Sequence, residues 1–212
     1  MNPGSERFRF EMAGAADGPE ILEILEQSDF KGRIGLVYTR RPDPYRSFLW
    51  EGKDTILVVC RDIREQKIVG FGAFTVRKLY VNGEAAQVGY LFGLRARREY
   101  RGKYPLLARG YQFIREMIAG YSIAVHLTTI LEENRSAQKL LEKKRPIMPG
   151  YIPLARYGTF VFKTGGRTRI PNGYAFKQAE AADAPKIIAF LNGQGKRQQF
   201  YPVLDADCFT DG

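Results

Sequence analysis

Apolar and polar residues alternate over Arg7–Ala13 (RFRFEMA), a pattern that predicts a strand. Asp17, Gly18 and Pro19 then open a helix, because proline is tolerated in a first helical turn. Ile21, Leu22, Ile24 and Leu25 give that helix a buried stripe, and Glu20, Glu23 and Glu26 give it a wet face. A basic, proline-containing stretch (Arg40-Arg41-Pro42-Asp43-Pro44) leads to a short helix around Tyr45–Trp50. Thr55–Cys60 (TILVVC) is a continuous apolar run and predicts a central strand. Ile68–Val81 and Ala85–Ala96 are two further strands, separated by the hairpin pair Asn82-Gly83, so three consecutive strands form an antiparallel meander.

Pro105 starts the next helix, with Leu107, Tyr111, Ile114, Met117 and Ile118 on its apolar face and Gly120 where a C-terminal cap belongs. Ile123–Ile130 predicts a strand, and Asn134–Arg145 a helix ended by Pro146. Tyr151–Leu154 and Thr159–Lys163 predict short final strands, and Thr164–Thr168 a polar linker. Antiparallel pairing first and a strand–helix–strand crossover later make the fold α/β (α+β). The sheet is mixed and mostly antiparallel, flanked by helices.

The chain also repeats itself. FRFEMAGAADGPEILEIL (Phe8–Leu25) and YAFKQAEAADAPKIIAFL (Tyr174–Leu191) align without a gap and share eight of eighteen positions, among them Phe10/Phe176, Asp17/Asp183, Pro19/Pro185 and Ile21/Ile187. Any strand followed by a helix opened by Asp and Pro looks somewhat like this, which is the alternative to duplication. The repeat places one domain over residues 1–165, and a linker with the start of an incomplete second copy over 166–212. A strand and one helix bury too little alone, so the tail is expected to pack on the first unit or on a neighbouring molecule.

Hydrophobic residues make up 44% of the chain, enough for a packed core and against wholesale disorder. No apolar run is long enough to cross a bilayer, and MNPGSERFRF lacks a signal-peptide core, so the expected compartment is the cytoplasm, with no membrane partner. Cys60, Cys208 and the single His126 supply neither a disulfide framework nor a metal site. Cys60, in an apolar run, is expected to be buried and inert. The net charge of +10 is concentrated: Arg95, Arg97, Arg98, Arg101 and Lys103 lie close together against the single acid Glu99. Such a cluster suits a polyanion, either nucleic acid or a phosphorylated cofactor.

Gly93–Ile114 (GLRARREYRGKYPLLARGYQFI) favours the cofactor. A strand runs into a tight basic turn that opens a helix, where unpaired N–H groups and the helix dipole attract an anion such as a pyrophosphate. No helix-turn-helix spacing, zinc signature or aromatic RNA-reading motif is visible, so nucleic acid rests on charge alone.

Tyr100-Arg101-Gly102-Lys103 after a strand resembles the acyl-coenzyme A loop of the GNAT acetyltransferase superfamily. Asn134–Lys143 (NRSAQKLLEK) resembles that family's second signature, and the element order is also similar. The resemblance covers roughly Phe8 to Lys163, and with the repeat it implies a tandem arrangement. It implies acetyl-CoA (coenzyme A) as cofactor and a small-molecule or peptide amine as acceptor, with direct acyl transfer between them. By position, Leu94, Arg95 and Ala96 would hold the pantetheine arm through backbone groups. Arg101, Gly102, Lys103 and Tyr104, with Leu106 and Leu107, would cradle the pyrophosphate. Asn134 would touch the pantetheine side, with Ala137 leaving room, while an N-cap role is the plain alternative for Asn134.

The chain departs from the family in three regions. Tyr104 and Leu106 stand where glycines are usual, although both keep an N–H, unlike Pro105. Leu141 stands where a Tyr commonly protonates the departing thiolate, and Phe92-Gly93 occupies the region of a frequent carboxylate base. No catalytic residue is therefore assigned. Glu132, Glu133, Tyr90 and Tyr151 are near the thioester by their place in the sequence, and Tyr45, Phe48 and Trp50 line either a substrate cleft or the inner face of a short helix. His126 is expected to be a packed core residue. A non-catalytic module that binds coenzyme A is the alternative function, a basic nucleic-acid-binding domain is a second, and the oligomeric state, a homodimer included, is open.

Overall fold

The computed structural model describes residues 7–27, 39–102, 104–160 and 172–209. Lys103, the Thr164–Thr168 linker and the end of the Thr159–Lys163 strand lie outside the described residues. The chain divides into two units, Met1–Leu79 with Ala85–Tyr151, and Tyr80–Glu84 with Ile152–Gly212.

The elements run β1 (Phe8–Met12), α1 (Gly18–Glu26), α2 (Pro44–Leu49), β2 (Asp54–Asp62), β3 (Lys67–Val81), β4 (Glu84–Ala96), α3 (Tyr104–Met117), β5 (Val125–Thr128) and α4 (Arg135–Glu142). The strands form one sheet in the order β1-β2-β3-β4-β5. β1 and β3 flank β2 antiparallel, and β5 joins β4 in parallel. Asn82 and Gly83 both take positive φ, 52° and 85°, the conformation a two-residue hairpin turn requires.

Local chemistry explains where the helices begin. Asp17 accepts the Gly14 N–H at 2.8 Å across a 3-10 turn that feeds α1. Asp43 accepts the Arg46 N–H at 3.0 Å and caps α2, whose first residue is Pro44. On one sheet face, Ile21, Ile24 and Leu25 of α1 and Phe48 of α2 pack with Leu57, Val59, Phe71 and Ala73. Phe48 sits edge-on to Phe71, with ring centroids 5.6 Å apart. Leu22, expected in the buried stripe, is only half-buried. On the other face Cys60, Val69 and Tyr100 pack with Phe8, Phe10 and Leu106. There burial pushes the Cys60 thiol up to about 12, so it is inert near neutrality.

Two expectations from the pattern do not hold. Tyr151–Leu154 is not a strand, and neither is the described part of the last predicted one. Ile152 and Leu154 alternate correctly, but they, Tyr157 and Phe160 are 70–88% exposed, and a strand without a sheet to pair with is not stable. The helix expected to reach Arg145, α4, ends earlier, at Glu142.

In the second unit, α5 (Ala184–Gly195) repeats the entry to α1. A 3-10 turn, Ala181–Asp183, precedes it, and Asp183 accepts the Glu180 N–H at 3.1 Å as Asp17 accepts that of Gly14. The strand expected before it does not form, and Tyr174 and Phe176 are exposed. Asn192 bonds both the N–H and the C=O of Leu204, at 2.9 and 2.8 Å. Tyr80 pairs its backbone with Phe200 and Tyr201, and Asn82 exchanges two hydrogen bonds with Gln199.

Phe48 is fully buried and joins α2 to the sheet. Phe48→Ala is expected to cost about 3–5 kcal/mol, read as a fall in the urea unfolding midpoint. A change below about 1 kcal/mol would show that α2 adds little to the core.

Candidate functional site

β4 and β5 stay together only from Val88 to Leu91, opposite Val125 to Thr128. Thr128 then closes the ladder with its side chain, donating from Oγ1 to the Leu91 carbonyl at 2.8 Å. β4 continues to Ala96 without a partner on that side among the described residues. The Arg97 N–H bonds the Val69 carbonyl at 2.9 Å, so Arg97, and by alternation Arg95, turn their backbone toward β3. Leu94 and Ala96 consequently present N–H and C=O to the gap. Their carbonyls accept from Arg95 Nη1 at 2.8 Å and Arg101 Nε at 3.1 Å.

Gly93 takes φ +67°, and a Cβ there would stand 2.6 Å from the Phe48 ring. Glycine is therefore needed to kink β4 where it leaves β5. Beyond Ala96 come a 3-10 turn (Arg98–Tyr100), then Arg101 and Gly102, then α3. Gly102 has φ +73°, and the place a Cβ would take has nothing within 4 Å of it, so the turn faces open space. Arg101 and Gly102 are exposed, and Leu107 is half-buried. The side chain of Leu106 packs against the core under α3, which leaves its N–H as the group it can offer.

The turn is clamped at both ends by groups the sequence did not reveal. At its start Arg97 is a bidentate donor to Glu23 of α1, at 2.9 and 2.7 Å, and its Nε donates to the Ile68 carbonyl at 2.7 Å. This corrects its reading as part of the anion-binding cluster. Its charge is spent on α1, and its side chain is only 11% exposed. At the far end the Tyr100 hydroxyl donates at 3.1 Å to Asp62, which is fully buried at the end of β2. Asp62 also accepts from Arg7 Nε at 2.8 Å and from the N–H groups of Arg64 and Glu65. The Arg7 guanidinium foremost holds the Asp62 carboxyl down at about 2, helped by those amides and Tyr100 against the cost of burial.

Asn134 caps α4, its Oδ1 accepting the Ala137 N–H at 3.1 Å. Leu141 is buried. The Tyr90 hydroxyl shares a 2.7 Å hydrogen bond with Thr129, and Glu132 and Glu133 lie exposed in a turn. Tyr151 meets Tyr111 of α3, hydroxyl to hydroxyl, at 2.5 Å. Burial raises both phenols above their ordinary value, so each holds its proton near neutrality. His126 is exposed on β5 with its ring beside Phe74, not packed in the core as its apolar surroundings suggested. Tyr45 and Phe48 form the inner face of α2, whereas Trp50 is 82% exposed. No metal-binding cluster of His, Cys, Asp or Glu occurs among the described residues.

No family model matches the chain, and no curated protein matches it. Solved structures do. An aminoglycoside antibiotic 6'-N-acetyltransferase from Acinetobacter baumannii is similar over 74% of this chain and 99% of its own, with a TM-score of 0.53 and 14% identity. A second, from Acinetobacter haemolyticus, gives 0.52 and 16% over 74% and 99% of the two chains. A ribosomal-protein-alanine N-acetyltransferase from Brucella melitensis biovar Abortus gives 0.50 and 16% over 74% and 99%. The fold is thus that of the GNAT N-acetyltransferases, a mixed and mostly antiparallel sheet flanked by helices.

A carboxyl held below its ordinary value stabilises the fold above that value and loses the contribution as pH falls through the folded value. The stability that Asp62 adds should therefore persist at neutral pH and vanish between its ordinary 3.8 and about 2. Asp62→Asn is expected to cost on the order of 1–3 kcal/mol at pH 7, with the gap to the native protein closing across that acid window in urea titrations. A gap that stays constant down to pH 2 would remove Asp62 from this role.

Proposed function

We propose that the first unit binds acetyl-coenzyme A and transfers its acyl group to an amine. The observation that carries this reading is the parting of β4 and β5 beside a basic turn that opens α3. The gap offers strand-like backbone groups to an extended amide-bearing arm, and the turn offers amides and cations to a diphosphate.

In this reading Leu94 and Ala96 hold the pantetheine arm, while Arg95 lies beside it. Arg101 and Lys103 place charge at the diphosphate, and Gly102, Tyr104, Leu106 and Leu107 bring backbone to it. Asn134 and Ala137 border the far side. Before the arm can pair with Leu94 and Ala96, the guanidinium groups now on their carbonyls must turn away. Both can then face phosphate, an exchange of one acceptor for a more highly charged one.

Acetyl-coenzyme A supplies an activated thioester. The chain supplies orientation, and N–H donors at the β4 kink aimed at the acyl carbonyl oxygen. From Val88 to Ala96 β4 carries no carboxylate, so the acceptor loses its proton to water when it arrives partly neutral. The free thiols Cys60 and Cys208 fit a reducing, cytoplasmic compartment.

A second reading rests on Leu141, a buried aliphatic residue that cannot protonate a thiolate. In it the unit binds coenzyme A without turnover. The matched 3-10 entries to α1 and α5 support a tandem ancestry for the second unit under either reading.

Calorimetric titration with acetyl-coenzyme A should give one site, weakened about tenfold in Arg101→Gln. No heat at millimolar cofactor, with the protein folded, would end both readings. Binding without thiol release across a broad amine panel would select the second.

A further inference from the structure

A cluster outside the cofactor gap touches the same kinked strand. Arg77 of β3 donates from Nη2 to Glu51 at 2.7 Å, and Arg40 donates to the other Glu51 oxygen, also at 2.7 Å. Two guanidinium groups thus share one carboxylate. Arg40 is the more fully engaged of the two: it also donates to the Ser47 carbonyl and hydroxyl, and stacks 4.1 Å above the Phe48 ring. Arg77 differs. Glu51 is its one hydrogen-bonding partner among the described residues, its Nε is buried without any, and its side chain is 37% exposed.

The guanidinium of Arg77 lies 5.7 Å from the Tyr90 ring, which stacks on Phe92 at 5.3 Å. Tyr90 and Phe92 are on β4, and Phe92 is two residues, about 7 Å, before Leu94. A cation paired through Nη2 alone therefore faces an aromatic wall that ends two residues before the strand segment where the arm would lie.

We propose that Arg77 selects acceptors that carry an anionic oxygen group, carboxylate or phosphate, a few bonds from the reacting amine. This deepens the transferase reading and rests on it. A guanidinium with one engaged edge takes such a group on its other edge, and the aromatic wall excludes water and strengthens the pairing. A purely cationic amine meets repulsion from the same charge. The amine of a bound zwitterion extends from Arg77 along Tyr90 and Phe92 toward Leu94.

Three probes of similar size separate the possibilities: β-alanine, O-phosphoethanolamine and the uncharged-tailed ethanolamine. Their binding to the protein alone is read from the arginine Nε–H signals in NMR titrations, and thiol release from acetyl-coenzyme A is read in parallel. β-Alanine or O-phosphoethanolamine should bind and react at least tenfold better than ethanolamine, and whichever leads identifies the anion as carboxylate or phosphate. Arg77→Gln should abolish the discrimination through KM while the affinity for acetyl-coenzyme A stays unchanged, and Arg77→Lys should restore part of it. Equal handling of the three probes, binding by none, or discrimination that survives Arg77→Gln overturns the proposal even where acetyl-coenzyme A still binds. Loss of acetyl-coenzyme A binding in the native protein, with the Arg77 signal still shifted by the anionic probes, would overturn the transferase reading and leave an anion site.

Discussion

The arrangement depends on a parallel strand pair that stops early. A β-ladder normally consumes every N–H and C=O along its length, and a strand left without one partner is an edge. β4 is interior to the sheet from Val88 to Leu91 and, among the described residues, an edge beyond it, because β5 stays with it for only four residues. The change of status in mid-strand makes the gap. Gly93 permits the kink, Thr128 seals the last paired carbonyl, and α3 begins where the free stretch ends.

A gap of this kind works only if its rim keeps its shape. Arg97 ties the start of the basic turn to α1 and β3, and Tyr100 ties its end to a buried carboxylate on β2. The two clamps use opposite sheet faces. Among the clustered cations, then, the division of labour is structural first: Arg97 shapes the turn, and Arg101 remains exposed at its tip. Rigid placement of this sort lowers the entropy lost when a ligand is bound.

Much of this was legible in the chain. Apolar runs and the Asn-Gly pair marked the meander, Asp17-Gly18-Pro19 marked the opening of α1, and Pro105 after the basic turn marked the start of α3. The rest was not legible for definite reasons. Alternation over Tyr151–Leu154 predicts a strand, yet a strand exists only through its neighbour, which no local pattern reports. Arg97 and Arg101 look alike in sequence, and only the fold places Glu23 beside one of them. Asp62 reads as an ordinary strand-ending turn residue, since its partners Arg7 and Tyr100 are distant in the chain. His126 escapes the pattern because β5 lies at the sheet edge, where apolar neighbours in sequence do not ensure burial.

Among the described residues, the gap and the turn are lined by backbone amides and by the guanidinium groups of Arg95 and Arg101. Amides and guanidinium ions as classes keep their charge state through ordinary buffers. In the proposed transferase, a change of cofactor affinity with acidity would therefore come from the cofactor's own phosphate monoester, which takes up a second proton in mild acid. A rate slope at saturating cofactor would then come from the acceptor amine or from a carboxylate of the protein, and exchanging one acceptor for another of different basicity tells the two apart.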